Sequence, residues 1–318
     1  MLPLQDWEIS AADFYFAVPV ADLPLGTVAA VDFYIRTRDG HSVYLTAGQD
    51  LNDSIRLAHD SSGIESLYVQ SGKAGPYVRG AFEAARLLLD STDAPAAKRA
   101  QAIRTSAGAT ALHLVHNPGV QSFQMAREIT ELTVAETLES PESLTALVKM
   151  TYVDQELHYH LVNSSIYAIA LAGPLGISAP DCLITIGLAG LLYDLGMARI
   201  ARRTSTGDPD LDPVVRQHVY IGRDLIQSVP GISREVRDAA VGHHERWDGG
   251  GYPAGLQSTR IPLTGRICAV VDTFDVLTTT VPDGTPVGAF QALRAMSRDM
   301  PGRFDPALLR ALVVGLSA

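Results

Sequence analysis

From Leu161 to Pro180 the chain carries no charged residue, and beyond Asp181 a second apolar run continues to Tyr193 and Asp194. Twenty uncharged residues are long enough to span a bilayer. The same stretch contains Asn163, Ser164, Ser165, Gly173, Pro174 and Gly176, which favour a different outcome: two buried helices, divided at Pro174 and its flanking glycines, inside a helical core. No membrane span is expected. With 318 residues at 47% hydrophobic, the chain can bury a sizeable core in one or two domains. Two cysteines, Cys182 and Cys268, and an N-terminus without a basic-then-apolar leader point to a reducing, cytoplasmic setting. A formal charge of −10 without a basic stripe argues against a grip on long nucleic acid. Any phosphate ligand must then be met locally, by metal or by isolated cations.

The texture changes along the chain. Val31 to Arg38 alternates with period two, Asp39-Gly40 suits a hairpin turn, and Ser42 to Thr46 reads as the returning strand. Asp50 to His59 has a helical pattern, and Ile64 to Gln70 alternates again, so residues 1–92 form a small α+β sensory or docking domain. From Ala94 to His113, from Gly119 to Leu138 and from Pro141 onward, apolar residues recur at threes and fours, which makes 93–149 a helical connector. Residues 150–318 alternate helical runs with Gly/Pro-rich interruptions, giving a mainly α chain overall.

Chemistry concentrates in that last region. Glu156 and His160 stand at i and i+4, which on a helix directs both from one face. Asp194 ends an apolar helix and carries a carboxylate into a dry interior, where it needs a partner such as a metal ion. With His218, His243, His244 and Asp272 these make seven donors, enough for two or three ions. Mixed imidazole and carboxylate ligands suit iron or manganese better than structural zinc. Bridged metals acidify a shared water and neutralise phosphate oxygens, the two needs of phosphodiester hydrolysis. His41, His59, His113, His116 and His158 are expected to be structural; His158 lies two positions from His160 and so faces away on a helix.

The doublet continues as His243-His244-Glu245-Arg246-Trp247-Asp248-Gly249-Gly250-Gly251-Tyr252-Pro253. This run resembles the HD-GYP family, bacterial phosphodiesterases that hydrolyse cyclic di-GMP on a helical HD-superfamily scaffold with a metal cluster. Asn163, Leu175-Gly176, Gly222, Ile261-Pro262, Arg266, Asp272 to Asp275 and Phe304-Asp305-Pro306 extend the likeness over about 150–318. The resemblance implies metal ligation by Glu156, His160, Asp194, His218, His243, His244 and Asp272. It implies a substrate pocket bordered by Arg246, Gly251, Tyr252, Pro253 and Asp275, with Asp194 and Asp272 positioning the metals and Tyr252 contacting the nucleotide.

Several positions depart from that pattern. The His-Asp pair reads Tyr193-Asp194, so one imidazole is replaced by a phenol, and the cofactor expectation of two or three ions falls to one if that site stays empty. Met197 stands where a phosphate-binding lysine is usual, and Val281-Pro282-Asp283-Gly284 replaces a run with two cations. Charge-assisted contacts contribute about 1.5–3 kcal/mol each, so three losses weaken phosphate binding by on the order of 5 kcal/mol. Arg246, Arg266, Arg199, Arg202 and Arg203 are the nearby candidates to compensate. The expectation is a cyclic-di-GMP signalling protein whose turnover is reduced or lost. The alternatives are a regulator docking a diguanylate cyclase through the GYP surface and a phosphohydrolase acting on another phosphoester; a homodimer is a further partner expectation.

Overall fold

A computed structural model describes residues 15–20, 23, 27–37, 40–51, 55, 63–91, 93–151, 156–200, 212–279 and 287–316. The N-terminal region is a four-stranded sheet in the order β1-β6-β3-β4, formed by β1 (Tyr15–Pro19), β3 (Phe33–Thr37), β4 (Gly40–Leu45) and β6 (Ser66–Gln70). Two short strands, β2 (Thr27–Val28) and β5 (Asp50–Leu51), pair separately. β1 and β6 run antiparallel with Phe16 opposite Val69 and Val18 opposite Leu67. Those four side chains are buried, so the period-two pattern puts one face of the pair into a core. The expected hairpin is present as β3 and β4, while Arg38 and Asp39 of its turn lie outside the described residues. The helix expected over 50–59 is corrected at its start, because Asp50 and Leu51 pair with β2; 52–54 and 56–59, with His59, lie outside the described residues.

Helix α1 (Ala74–Leu89) closes the sheet: Tyr77 meets Phe16 and Phe33 at ring distances of 6.0 and 5.9 Å. Three helices follow, α2 (Ala96–His116), α3 (Val120–Glu139) and α4 (Pro141–Lys149). They pack on both sides. Ile103, Leu114, Phe123 and Ile129 share one core with residues further along the chain, while Ala109, Leu112 and Met125 pack on the sheet's core.

The uncharged stretch is explained by position. Helix α5 (Leu157–Ala172) lies at the centre and has thirteen buried residues, on all its faces, so no side of it tolerates a charge. A 3₁₀ turn at Gly173–Leu175 ends it, and Gly176, at φ 75°, reverses the chain into α6 (Pro180–Leu192). The stretch Pro180–Arg199 is long and apolar enough to cross a membrane by composition, yet 61% of it is buried against the other helices. Around this pair pack α7 (His218–Gln227), α8 (Arg234–Gly242), α9 (Leu263–Thr279), α10 (Ala289–Arg298) and α11 (Pro306–Gly315).

Candidate metal centre

Four segments meet where α6 ends. Asp194 follows the last turn of α6, and a 3₁₀ turn at Leu195–Arg199 runs past the start of α7. A Cβ on Gly196 would lie 2.0 Å from the His218 carbonyl oxygen and 2.7 Å from the Gly222 nitrogen, so only glycine permits this approach. It brings Asp194 Oδ1 to 3.4 Å from His218 Nε2 and 3.9 Å from His243 Nε2. His243 sits where α8 unwinds, which lets two consecutive imidazoles face one point instead of diverging.

His218 Nε2 is 3.1 Å from His243 Nε2 and 3.1 Å from His244 Nε2. His218 Nδ1 lies 2.6 Å from the Val215 carbonyl oxygen, and His243 Nδ1 lies 3.0 Å from that of Ala240. A carbonyl only accepts, so each Nδ1 carries the proton and each Nε2 turns a lone pair inward. Lone pairs at 3.1 Å repel unless a proton or a cation stands between them. Burial, together with the neighbouring imidazoles, pushes His243 well below the usual histidine range. Burial, then His218, Arg303 and Arg216, does the same to His244. Imidazoles converging beside a carboxylate fit a transition-metal ion, and the Val215 and Ala240 carbonyls fix the ligating tautomer of His218 and His243.

His160, Asp272 and Asp275 gather around a different centre. Tyr193 Oη lies 2.6 Å from His160 Nε2, 3.0 Å from Asp272 Oδ1 and 3.2 Å from Ser164 Oγ. His160 Nδ1 meets Asp275 Oδ2 at 2.7 Å, and Asn163 donates to the other Asp275 oxygen at 2.7 Å. Although burial opposes its charge, His160 is raised well above the usual range by Asp272 and Asp275. Burial, then the Asp272 and Asp194 carboxylates, pushes the Tyr193 phenol well above 10, so it keeps its proton and donates to Asp272. Burial lifts Asp275, whereas Asp272 stays below the usual carboxylate range: burial opposes its charge, and the His160 contact overcomes this.

The remaining expected site residues are placed as follows. Glu156 is the exposed residue before α5, in extended conformation at φ −67° and ψ 135°, so the helical i, i+4 geometry expected to join it to His160 does not apply to it. Asp275 is 0% exposed with both oxygens hydrogen-bonded, so it orients His160 instead of lining a substrate pocket. Arg246 pairs with Asp248 at 2.7 Å near the surface, and Arg266 pairs with Asp305 at 2.5 Å in a more buried setting. Arg199 is exposed, while Arg202, Arg203 and 281–284 lie outside the described residues.

The Gly251-Tyr252-Pro253 segment adjoins the histidines. A Cβ on Gly251 would lie 2.4 Å from the His244 carbonyl oxygen, and the Tyr252 ring stacks on His244 at 4.6 Å and 14°. The Arg216 guanidinium lies over the Tyr252 ring, 4.5 Å from its centroid. Glu245, 3% exposed, accepts from the Ala254 and Leu256 amides at 2.7 and 2.8 Å and pins the loop. Sequence reading assigned no role to Glu245, Arg216, Arg303 or Ser164. Glu245 carried the one available signal, an acid directly after two candidate ligands.

Comparison with known proteins agrees with this geometry. The HD domain family matches residues 124–308. A cyclic di-GMP phosphodiesterase, PA4108 of Pseudomonas aeruginosa, is 34% identical over 59% of this chain and 46% of its own length. A cyclic di-GMP phosphodiesterase of Thermotoga maritima is 29% identical over 63% of this chain and 57% of its own. The chain thus spans about half the length of these curated relatives. Bd1817, an HDG"Y"P protein from Bdellovibrio bacteriovorus, superposes with a TM-score of 0.75 at 21% identity, covering 96% of this chain and 100% of that one, and so shares its fold.

Proposed function

Because the chain belongs to the HD domain family, we propose that it is a cyclic-di-GMP signalling protein of HD-GYP type whose metal-dependent phosphodiesterase activity is reduced or lost. The observation that carries this is the convergence of His218, His243 and His244, with His218 Nε2 3.1 Å from that of each of the other two, beside Asp194. Iron or manganese is the ion these donors suit, and when bound it supplies Lewis acidity toward a phosphate oxygen and acidifies water.

The chain's own groups do the rest. Val215 and Ala240 carbonyls hold His218 and His243 in the ligating tautomer. Glu245 holds the loop that presents Tyr252 beside His244. Tyr252 offers a ring for a base, and Arg216, over that ring, offers a cation for a phosphate. Substrate grip is weakened by Met197 in place of a cation, and by Arg246 and Arg266, both held in ion pairs.

A regulatory role is the second reading. It is supported by the solvent face of the loop, where Gly250, Ala254, Gly255 and Gln257 are exposed on a segment pinned from beneath. Such a surface suits docking of a signalling protein such as a diguanylate cyclase.

Metal analysis of the protein and of His243→Ala/His244→Ala tests the proposal. The wild-type chain should retain transition metal and the double variant should lose most of it. Equal metal content in both would end the proposal. Chromatography of cyclic di-GMP with metal-loaded protein then separates slow hydrolysis from a purely regulatory role.

A further inference from the structure

We infer that this chain holds a single ion, because the Tyr193 side chain fills the place where a second would sit. The inference rests on the metal-centre proposal above and deepens it. His160 Nε2 and Asp272 Oδ1 face each other 3.3 Å apart, and the Tyr193 hydroxyl lies 2.6 Å from the first and 3.0 Å from the second. An ion bound by an imidazole nitrogen and a carboxylate oxygen stands about 2.0–2.2 Å from each. The phenol oxygen and such an ion compete for one volume.

The ring that carries the hydroxyl has no room to withdraw. Tyr193 is 0% exposed and packs against the His243 ring at 4.7 Å and the His160 ring at 5.9 Å. A phenol is longer than an imidazole, so from this position its polar atom arrives between the two donors, where an imidazole would stop beside them. The remaining contacts in this half are also protein to protein: Ser164 to Tyr193, His160 to Asp275, and Asn163 to Asp275. A buried polar network satisfied in this way needs no cation. The other half is built differently, with His243 and His244 Nε2 each 3.1 Å from His218 Nε2, and Asp194 beside His218 and His243. One half is closed by a hydroxyl and the other is shaped for an ion.

The test is an ion count on chains loaded with excess Mn²⁺ and desalted, read by elemental analysis and by electron paramagnetic resonance. Wild-type protein should hold about one Mn²⁺ per chain with the spectrum of an isolated ion, as expected for a lone His/Asp seat. Tyr193→His should double the count and show spin coupling between neighbouring ions. Two coupled ions in the wild type would overturn the inference, as would an unchanged count in a folded Tyr193→His. Should Tyr193→His fail to fold, the wild-type count decides alone. A wild type that binds no ion overturns the parent proposal too, whereas two ions overturn this inference and leave the parent standing.

Discussion

Glu245→Gln tests what holds the Gly251-Tyr252-Pro253 loop in place. Both carboxylate oxygens of Glu245 are used, one by the Ala254 amide at 2.7 Å and one by the Leu256 amide at 2.8 Å, at a site only 3% exposed. Glutamine has nearly the same shape but must turn its NH₂ group toward one of those donors. One charge-assisted bond then becomes a donor facing a donor, and the other loses its charge. Bonds to a charged acceptor contribute about 1.5–3 kcal/mol and an unsatisfied buried donor costs about 1–3 kcal/mol, so the closed loop weakens by roughly 2–4 kcal/mol. That corresponds to an open population raised roughly thirty- to a thousandfold. Solvent screening does not reduce the figure much at this burial. Amide hydrogen exchange reads it directly: Ala254 and Leu256 should lose protection by about this factor, up to the limit set by global unfolding, while the amides of α9 keep theirs. Unchanged protection at both amides would refute the account of Glu245 as the anchor.

Arg266→Met should destabilise the fold by about 3–5 kcal/mol in denaturant titrations, because it leaves the Asp305 carboxylate, 7% exposed, without the guanidinium 2.5 Å away. A loss below about 1 kcal/mol would mean that the pair is screened like a surface one. The metal-free chain should also show two opposed pH limbs. His243 and His244 are held neutral in the folded state, so the unfolded chain takes up more protons and stability declines as the pH falls below about 6.5. His160 is held protonated, so its contribution is fully present below about 6.5 and is lost as the pH rises through its folded value. His160→Gln should flatten the alkaline limb only; an alkaline limb that survives it would contradict the His160 contacts.

Local features of the chain are legible in its sequence. The uncharged residues 161–180 announced a central buried helix, since a helix enclosed on every side has no face for a charge. Adjacent His243 and His244 were legible as candidate ligands through their continuation into the Gly251-Tyr252-Pro253 motif, and the helix end that turns both imidazoles to one point came with the structure. Where only a short-range rule was available, it failed at the boundary. Glu156 and His160 have the right spacing, but α5 begins one residue after Glu156, and helical spacing says nothing about a side chain outside the helix.

Sequence by itself determined the helical core, the family likeness and most of the donors, because each follows from neighbours along the chain or from a contiguous motif. Only tertiary structure decided how those donors divide. Tyr193 meets His160 across 33 residues and Asp272 across 79, and His160 meets Asp275 across 115. These separations close through the packing of α5, α6 and α9, and the length of a phenol within that packing puts its hydroxyl between two donors. A substitution that reads as one lost ligand along the chain is, in space, an oxygen gained where a cation would stand.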